Sequence, residues 1–240
     1  MVRALAVVLV VAAAVGTVGP APGAGRSASA AIVLVHAGAS LAALAPIYAM
    51  RRPFGLGIRP RQPYSVEISK DAPAHGLEAV LDLPVGTAGS AVPAITARMS
   101  DDEIRRTTLD DLVTAPGVVG LRADAGAYGV PNARVLRDVL QVVRARGAWF
   151  LAAGDDDSGA SAIARELGVP VLVVTDDLDA TPTPDAIAAG VRRLITRARG
   201  TGMAIGVARL ETPAPSVIGA LLSEFDRAGV RLVPPSVFLR

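Results

Sequence analysis

The sequence predicts an α/β fold with parallel strands inside and helices outside. Two observations carry this. Short apolar runs of five to seven residues alternate with helical segments of 10–17 residues, the rhythm of β/α units. The helical segments 133–147, 158–168 and 184–200 each close on glycine, the usual residue at a helix C-terminus. Eight strand candidates are counted. Eight suit a β/α barrel, complete or distorted, and an open doubly wound sheet is the alternative. In either case ligands bind at the carboxyl ends of the strands.

In chain order, AIVLV (31–35) is the first buried strand, followed by a small-residue segment, 38–50. FGLGI (54–58) is the second strand. Residues 59–75, with Pro60, Pro63 and Pro73, read as irregular. LEAVLDL (77–83) is the third strand, and 87–98 reads as an excursion loop. Ser100 through Glu103 is a capping box: the Ser100 hydroxyl caps a helix and Glu103 reaches back to the Ser100 amide. GVVGLRA (117–123) is a strand and 133–147 an amphipathic helix. AWFLAA (148–153) is a strand and 158–168 a helix. VPVLVVT (169–175) is a strand and 184–200 a helix. MAIGVA (203–208), a helix over 215–230 and a last strand from 230 complete the chain.

The first 30 residues differ in kind. A basic start at Arg3 precedes an apolar run from Ala4 to Val18, then GPAPGAGRSASA. This is the layout of a secretory signal, with Ala28-Ser29-Ala30 as an A-x-A-like site. The run is short for a spanning helix, which needs about 20 residues; an uncleaved anchor followed by a Gly/Pro/Ser/Ala-rich linker is the alternative. The expected organisation is therefore signal or anchor over 1–30 and one domain over 31–240. The expected location is periplasmic or extracellular.

Composition removes several classes. There is no cysteine, which excludes disulfides, thiolate metal sites and cysteine nucleophiles. Aromatics are 3% of the chain, too few for the stacking platforms of single-strand nucleic-acid binding. The net charge is +2, and Lys70 is the sole lysine. The arginines are scattered in short doublets and read as solvated helix faces, so no nucleic-acid partner is expected.

The strand ends then carry the chemistry. His36 follows the first strand, Asp82 lies near the end of the third, and Asp124 ends the fourth. One imidazole and two carboxylates meeting at one point suit Zn²⁺, Mn²⁺ or Fe²⁺. Each also has a bland reading: Asp124 capping the next turn, Asp82 accepting amides from the 85–89 loop, His36 as a polar loop residue. His75 reads as a surface or helix-end histidine. Asp155, Asp156 and Asp157 lack calcium-loop spacing and precede a helix, where acids favour the dipole. Asp176, Asp177 and Asp179 read mainly as a polar turn into a helix. Glu211 stands as a substitute acid after the MAIGVA strand.

From about residue 31 to the end, the chain resembles the divergent polysaccharide deacetylases, a branch of the NodB-like carbohydrate esterases. GLEAVLDLPV is similar to their G-x-E-x-x-I-H-L-P-M segment. MSDDEIRR and PGVVGLRADAGA are similar to M-S-x-x-E-I and G-V-x-N-H-M-G-S. RGAWFLAAG is similar to R-G-x-x-F-L-D-S, and AIGVARLETP and RLVPPS to the closing G-H-x-x-P and L-V-x-x-S. The resemblance implies a distorted NodB-like, glycoside hydrolase/deacetylase-type barrel and export.

It also exposes the departures. The family's base aspartate corresponds to Val35 and its metal aspartate to His36. Two metal histidines correspond to Asp82 and Asp124. The aspartate of F-L-D-S corresponds to Ala152, and the histidine after A-I-G to Val207. Deacetylation needs a base and an acid for the leaving amine, each worth about 10²–10⁴ in rate. Valine and alanine supply neither. The resemblance thus implies a degenerate member acting in the cell envelope by binding a peptidoglycan-type glycan or a protein partner. The competing expectations are a metallohydrolase with a His36-Asp82-Asp124 centre, and a scaffold or regulator of an active enzyme.

Overall fold

The structure, a computed structural model, describes residues 28–86, 94–125, 132–154 and 159–240. Among these are nine strands: β1 (Ser29–Ala37), β2 (Gly55–Ile58), β3 (Glu78–Pro84), β4 (Gly120–Asp124), β5 (Trp149–Ala152), β6 (Val171–Val173), β7 (Asp176–Asp177), β8 (Met203–Arg209) and β9 (Arg231–Leu232). The helices are α1 (Ala45–Met50), α2 (Ser65–Asp71), α3 (Asp101–Val113), α4 (Ala133–Ala145), α5 (Ala160–Glu166), α6 (Pro184–Thr201) and α7 (Ala214–Arg227). The sheet order is β6-β5-β4-β3-β2-β1-β8-β7, with β9 on β1, and every paired strand runs parallel.

The sheet curls into a distorted barrel, which decides against the open doubly wound alternative. Its two ends are joined by one chain segment. The Val174 amide donates to the Ala152 carbonyl at 3.0 Å, and the next amide, Thr175, donates to Ile205 at 2.8 Å. Successive residues thus bond to opposite neighbours, β5 and β8.

Strand alternation sorts the core into two layers. Ala31, Val33 and Val35 pack inward with Val80, Trp149, Leu151, Leu172 and Ile205. Ile32, Leu34, Leu56, Leu81 and Phe150 face outward into the layer that holds Ile104, Val139, Leu194 and Phe225 from the helices. Both faces are buried, so the strands read as nearly continuous apolar runs. The lower end of the barrel is closed by the C-terminal 3-10 turn (Pro235–Leu239). There Phe238 packs on the inner layer, and the Ser236 amide and hydroxyl both donate to Glu78.

Gly120 shows how tightly the interior is filled. A Cβ there would lie 2.4 Å from the Trp149 indole. Gly120→Ala is expected to destabilise by about 1–3 kcal/mol through overpacking. Urea denaturation measures this, and an unchanged midpoint would show that the indole moves aside freely.

Three local readings are corrected. Residues 59–75 are not irregular throughout, since they contain α2 and a 3-10 turn (Ala72–His75). Pro63 precedes the helix and Pro73 falls in the first positions of the 3-10 turn, where a missing N–H costs nothing. For the same reason Pro46 opens α1 inside the 38–50 segment. Asp176 and Asp177 form β7 and pair with Gly206 and Val207, so a strand lies where a turn was expected. The capping box at Ser100 and Glu103 is present in full. β1 begins at Ser29, two residues before the domain start at 31 expected from sequence. Residues 1–27, most of the 87–98 loop and Asp155–Asp157 lie outside the described residues.

Candidate functional site

The upper mouth of the barrel, at the carboxyl ends of the strands, holds a compact polar cluster. Asp82 on β3 and Arg122 on β4 are direct cross-strand partners, and Asp124 follows Arg122 on the same face. Arg59 continues the inward series Gly55, Gly57 one residue past β2. His36 arrives by a different route. Alternation after Val35 would send it outward, but the β1–β2 register shifts between Leu34 and Ala37, and His36 has φ 71°. That left-handed backbone is uncommon outside glycine, and such a bulge re-aims a side chain at a site.

Asp82 is fully buried. Its Oδ1 accepts from Arg122 Nη1 at 2.5 Å, and its Oδ2 accepts from the His36 amide at 3.2 Å. Among the described residues the amide partner is on β1; residues 87–89 of the loop expected to supply it lie outside the described residues. Asp124 Oδ2 accepts from Arg59 Nη2 at 3.0 Å, and Oδ1 accepts from Arg122 Nη2 at 3.3 Å. His36 Nδ1 lies 2.9 Å from Glu211 Oε1, and Nε2 lies 3.3 Å from Asp124 Oδ2. Three carboxylates thus surround two guanidiniums and one imidazole.

Burial works against a charge on His36, but the hydrogen bonds to Asp124 and Glu211 and the field of Asp82 outweigh it. The imidazole is pushed up to about 9. Arg59 Nη2 stands 2.8 Å from His36 Nε2, a hydrogen bond only while Nε2 is unprotonated. The charge balance among the described residues favours the imidazolium, with Nε2–H donating to Asp124. A raised folded-state value means that the stabilisation is fully present below about 6.5. It is lost as pH rises through about 9. Melting temperature is expected to fall between pH 7 and 10, and Glu211→Gln to shrink that fall. The ring proton shifts of His36 check it directly, with His75→Gln assigning the other histidine; a midpoint near 6.5 would refute it.

His36, Asp82 and Asp124 do meet. Their ligand atoms all lie within 4.8 Å of one another, with His36 Nε2 3.3 Å from Asp124 Oδ2 and 3.8 Å from Asp82 Oδ2. The donor types suit a divalent ion. The surroundings do not. Any ion bonded to both His36 Nε2 and Asp124 Oδ2 would take the place of Arg59 Nη2, and Arg122 already occupies Asp82 and Asp124. As folded, the set does not fit a metal: its cations are arginines.

Val35 and Val207 are buried and apolar in the inner layer. Ala152 turns outward into the helix-side layer. Ala153 and Gly154, next in sequence, line a mouth cavity of about 300 Å³ together with Arg122, Thr175, Asp176 and Asp177. The other candidates go elsewhere. Asp176 pairs with Arg197, and buried Asp179 pairs with Arg209 and accepts from the Thr212 hydroxyl. Burial pushes the Asp177 carboxyl up, against the pull of Arg209. His75 is exposed, stacked on Tyr48 at 3.7 Å and paired with Asp71 at 3.2 Å, far from the mouth in the fold. Glu211 is the substitute acid that does reach the cluster.

Arg59 and Arg122 are the functional residues that the sequence reading passed over as surface charge. The signal was present. Period-two alternation places Arg122 on the face of Asp124 and Arg59 on the face of Gly55 and Gly57.

A parallel, helix-wrapped barrel with its polar groups at the strand ends is a distorted β/α barrel of the NodB-like type. The sequence matches the family model for divergent polysaccharide deacetylases over residues 32–239, and the chain belongs to that family. No curated protein matches it. Among solved structures, it is similar to the uncharacterized protein ATU2773 from Agrobacterium tumefaciens C58, at 24% identity and TM-score 0.75, covering 91% of this chain and 92% of that one. It shares the fold of a family 4 acetyl xylan esterase from Clostridium thermocellum in complex with a cobalt ion. That match has 13% identity and TM-score 0.51, over 88% and 89% of the two chains. It also shares the fold of a BA3943 mutant, a CE4 family pseudoenzyme with restored enzymatic activity. There the identity is 15% and the TM-score 0.53, over 89% of this chain and 68% of that one.

Proposed function

We propose that this chain is an exported, catalytically degenerate polysaccharide deacetylase domain that binds a glycan at its barrel mouth. The observation that carries the reading is the pair Arg59 and Arg122, whose guanidiniums donate to Asp82 and Asp124 where a hydrolytic metal would need free ligands. Valines at 35 and 207 add to it, since neither moves a proton. The same fold occurs in a protein described as a CE4 family pseudoenzyme, so loss of activity on this scaffold has a precedent. The cavity beside Arg122, about 300 Å³, is at the small end of ligand pockets and suits a sugar residue. Arg122, Thr175, Asp176 and Asp177 are among the residues that line that cavity. The apolar run 4–18 directs the chain out of the cytoplasm.

A second reading, a His-Asp-Asp metallohydrolase, is favoured by the convergence of the three ligand atoms within 4.8 Å; it requires Arg59 to leave. One experiment separates the two. The purified protein is assayed for bound zinc, manganese and cobalt, for acetate release from acetylated chito-oligosaccharides, and for calorimetric binding of the same sugars. Binding without metal and without acetate is the expected result. Stoichiometric metal with metal-dependent acetate release would sink the degenerate reading. Absence of both binding and turnover would turn attention to a scaffolding or regulatory role.

A further inference from the structure

All the strands are parallel, so their amino ends lie at one end of the barrel, opposite the polar mouth. That end is strongly basic. Arg51 caps α1, Arg144 and Arg146 close α4, and Arg199 closes α6. Arg231 begins β9, and Arg240 follows the 3-10 turn that seals the barrel. All six are exposed, and none forms an ion pair among the described residues. Most carboxylates at this end are already taken: Asp71 by His75, Glu166 by Arg137, Glu224 by Arg192, Asp226 by Arg52; Asp110, in the last turn of α3, is exposed and forms no ion pair among the described residues. The opposite end carries the acidic first turns of α3 and α6.

Complementing the helix dipole accounts for arginines in last turns. It does not account for Arg231 and Arg240, which lie outside the α-helices. Two further observations point to a partner. Exposed Met203 and Leu239 lie among these arginines, 40% and 36% accessible, beside a cavity of about 360 Å³ lined by Ser29, Gly202, Phe238 and Arg240. The chain also enters the fold here, at Ser29. Upstream, ten residues, 19–28, separate it from the apolar run Ala4–Val18. Ten residues reach at most about 36 Å, so a membrane holding the run would lie close to this end and not to the mouth.

We propose that the arginine-rich end is a docking face for the anionic headgroups of a lipid bilayer. Arginines engage the headgroups, Met203 and Leu239 dip among them, and the barrel stands with its mouth turned away from the membrane. The inference rests on reading residues 4–18 as the membrane-directed segment. Each basic residue near an anionic surface adds roughly fivefold to binding, and the contribution fades with salt.

The test is sedimentation of the full chain with vesicles of phosphatidylcholine alone or with 30% phosphatidylglycerol, at low and high salt. One variant combines Arg146→Glu, Arg199→Glu and Arg240→Glu. A control of equal charge change combines Arg98→Glu, Arg106→Glu and Arg193→Glu, all exposed elsewhere. The expected result is binding to anionic vesicles at least tenfold above neutral ones. High salt and the first variant abolish the increment, while the control keeps it within about threefold. Equal loss in both variants would overturn the inference, because net charge alone would explain it. So would equal, salt-independent binding to both vesicles, which would leave the membrane reading of the N-terminal segment intact. No binding to either vesicle would remove that reading and the inference together. Binding to a soluble polyanion such as a thymidine 20-mer, without the anionic vesicle increment, would reassign the face to another partner class.

Discussion

Asp82→Ala is expected to lower the melting temperature by roughly 6–20 °C. The carboxylate is fully buried and accepts from Arg122 at 2.5 Å. Removing one member of a buried pair leaves the other charge uncompensated, a loss of about 3–5 kcal/mol. For a domain of this size each kcal/mol moves the midpoint by about 2–4 °C. The His36 amide loses its acceptor as well, and with it the contact that holds the left-handed turn at the end of β1. A double variant, Asp82→Leu with Arg122→Met, decides whether the cost is electrostatic. Replacing both charges by apolar groups of similar volume is often neutral or stabilising, so the double variant is expected to recover most of the lost stability. If it melts as low as Asp82→Ala, the acid matters for its shape and its bond to His36, and not for its charge.

Arg59→Ala is expected to strengthen divalent-metal binding well above that of the natural protein. The guanidinium stands 3.0 Å from Asp124 Oδ2 and 2.8 Å from His36 Nε2, the two atoms that an ion needs. With Arg59 gone and His36 neutral, three carboxylates face one remaining guanidinium, a charge of −2 that favours a divalent cation. Cobalt is the useful probe, because its visible absorption reports bound geometry. The natural protein should show no spectrum at millimolar cobalt. The variant should bind about 100-fold or more tightly, with a ligand-induced stabilisation of about 2.7 kcal/mol at 100 times Kd. Asp124→Ala in the Arg59→Ala background should remove the gain. Cobalt bound by the natural protein would show that Arg59 yields readily, and would return the metallohydrolase reading to first place. If neither form binds cobalt, the arginine is not what excludes the ion.

The sequence carried most of the fold. Its eight expected strands, the capped helix at Ser100 and the helices followed by Gly147 and Gly168 are all local signals, acting over a few positions; α6 runs past Gly200 and is closed by Gly202. The errors fell where local signals conflict. Prolines at 63 and 73 concealed α2 because proline is tolerated at helix starts and reads as a breaker elsewhere. Asp176 and Asp177 form a strand despite poor strand propensity, because β8 offers them a ladder and Arg197 and Arg209 take their charge.

The candidate site divides along the same line. The sequence by itself determined the family, the parallel β/α pattern and the strand ends at which His36, Asp82 and Asp124 stand. It also determined that valine and alanine occupy positions where proton transfer would require other groups. Only the tertiary structure decided what those three residues do. Register sets Arg122 against Asp82, a bulge with positive φ turns His36 inward, and the approach of β8 brings Glu211 to its ring. Ionic partners are chosen by distances between atoms tens to well over a hundred residues apart in the chain. Such distances exist only once the barrel has closed, so a string of residues shows which charges are present but not which of them cancel.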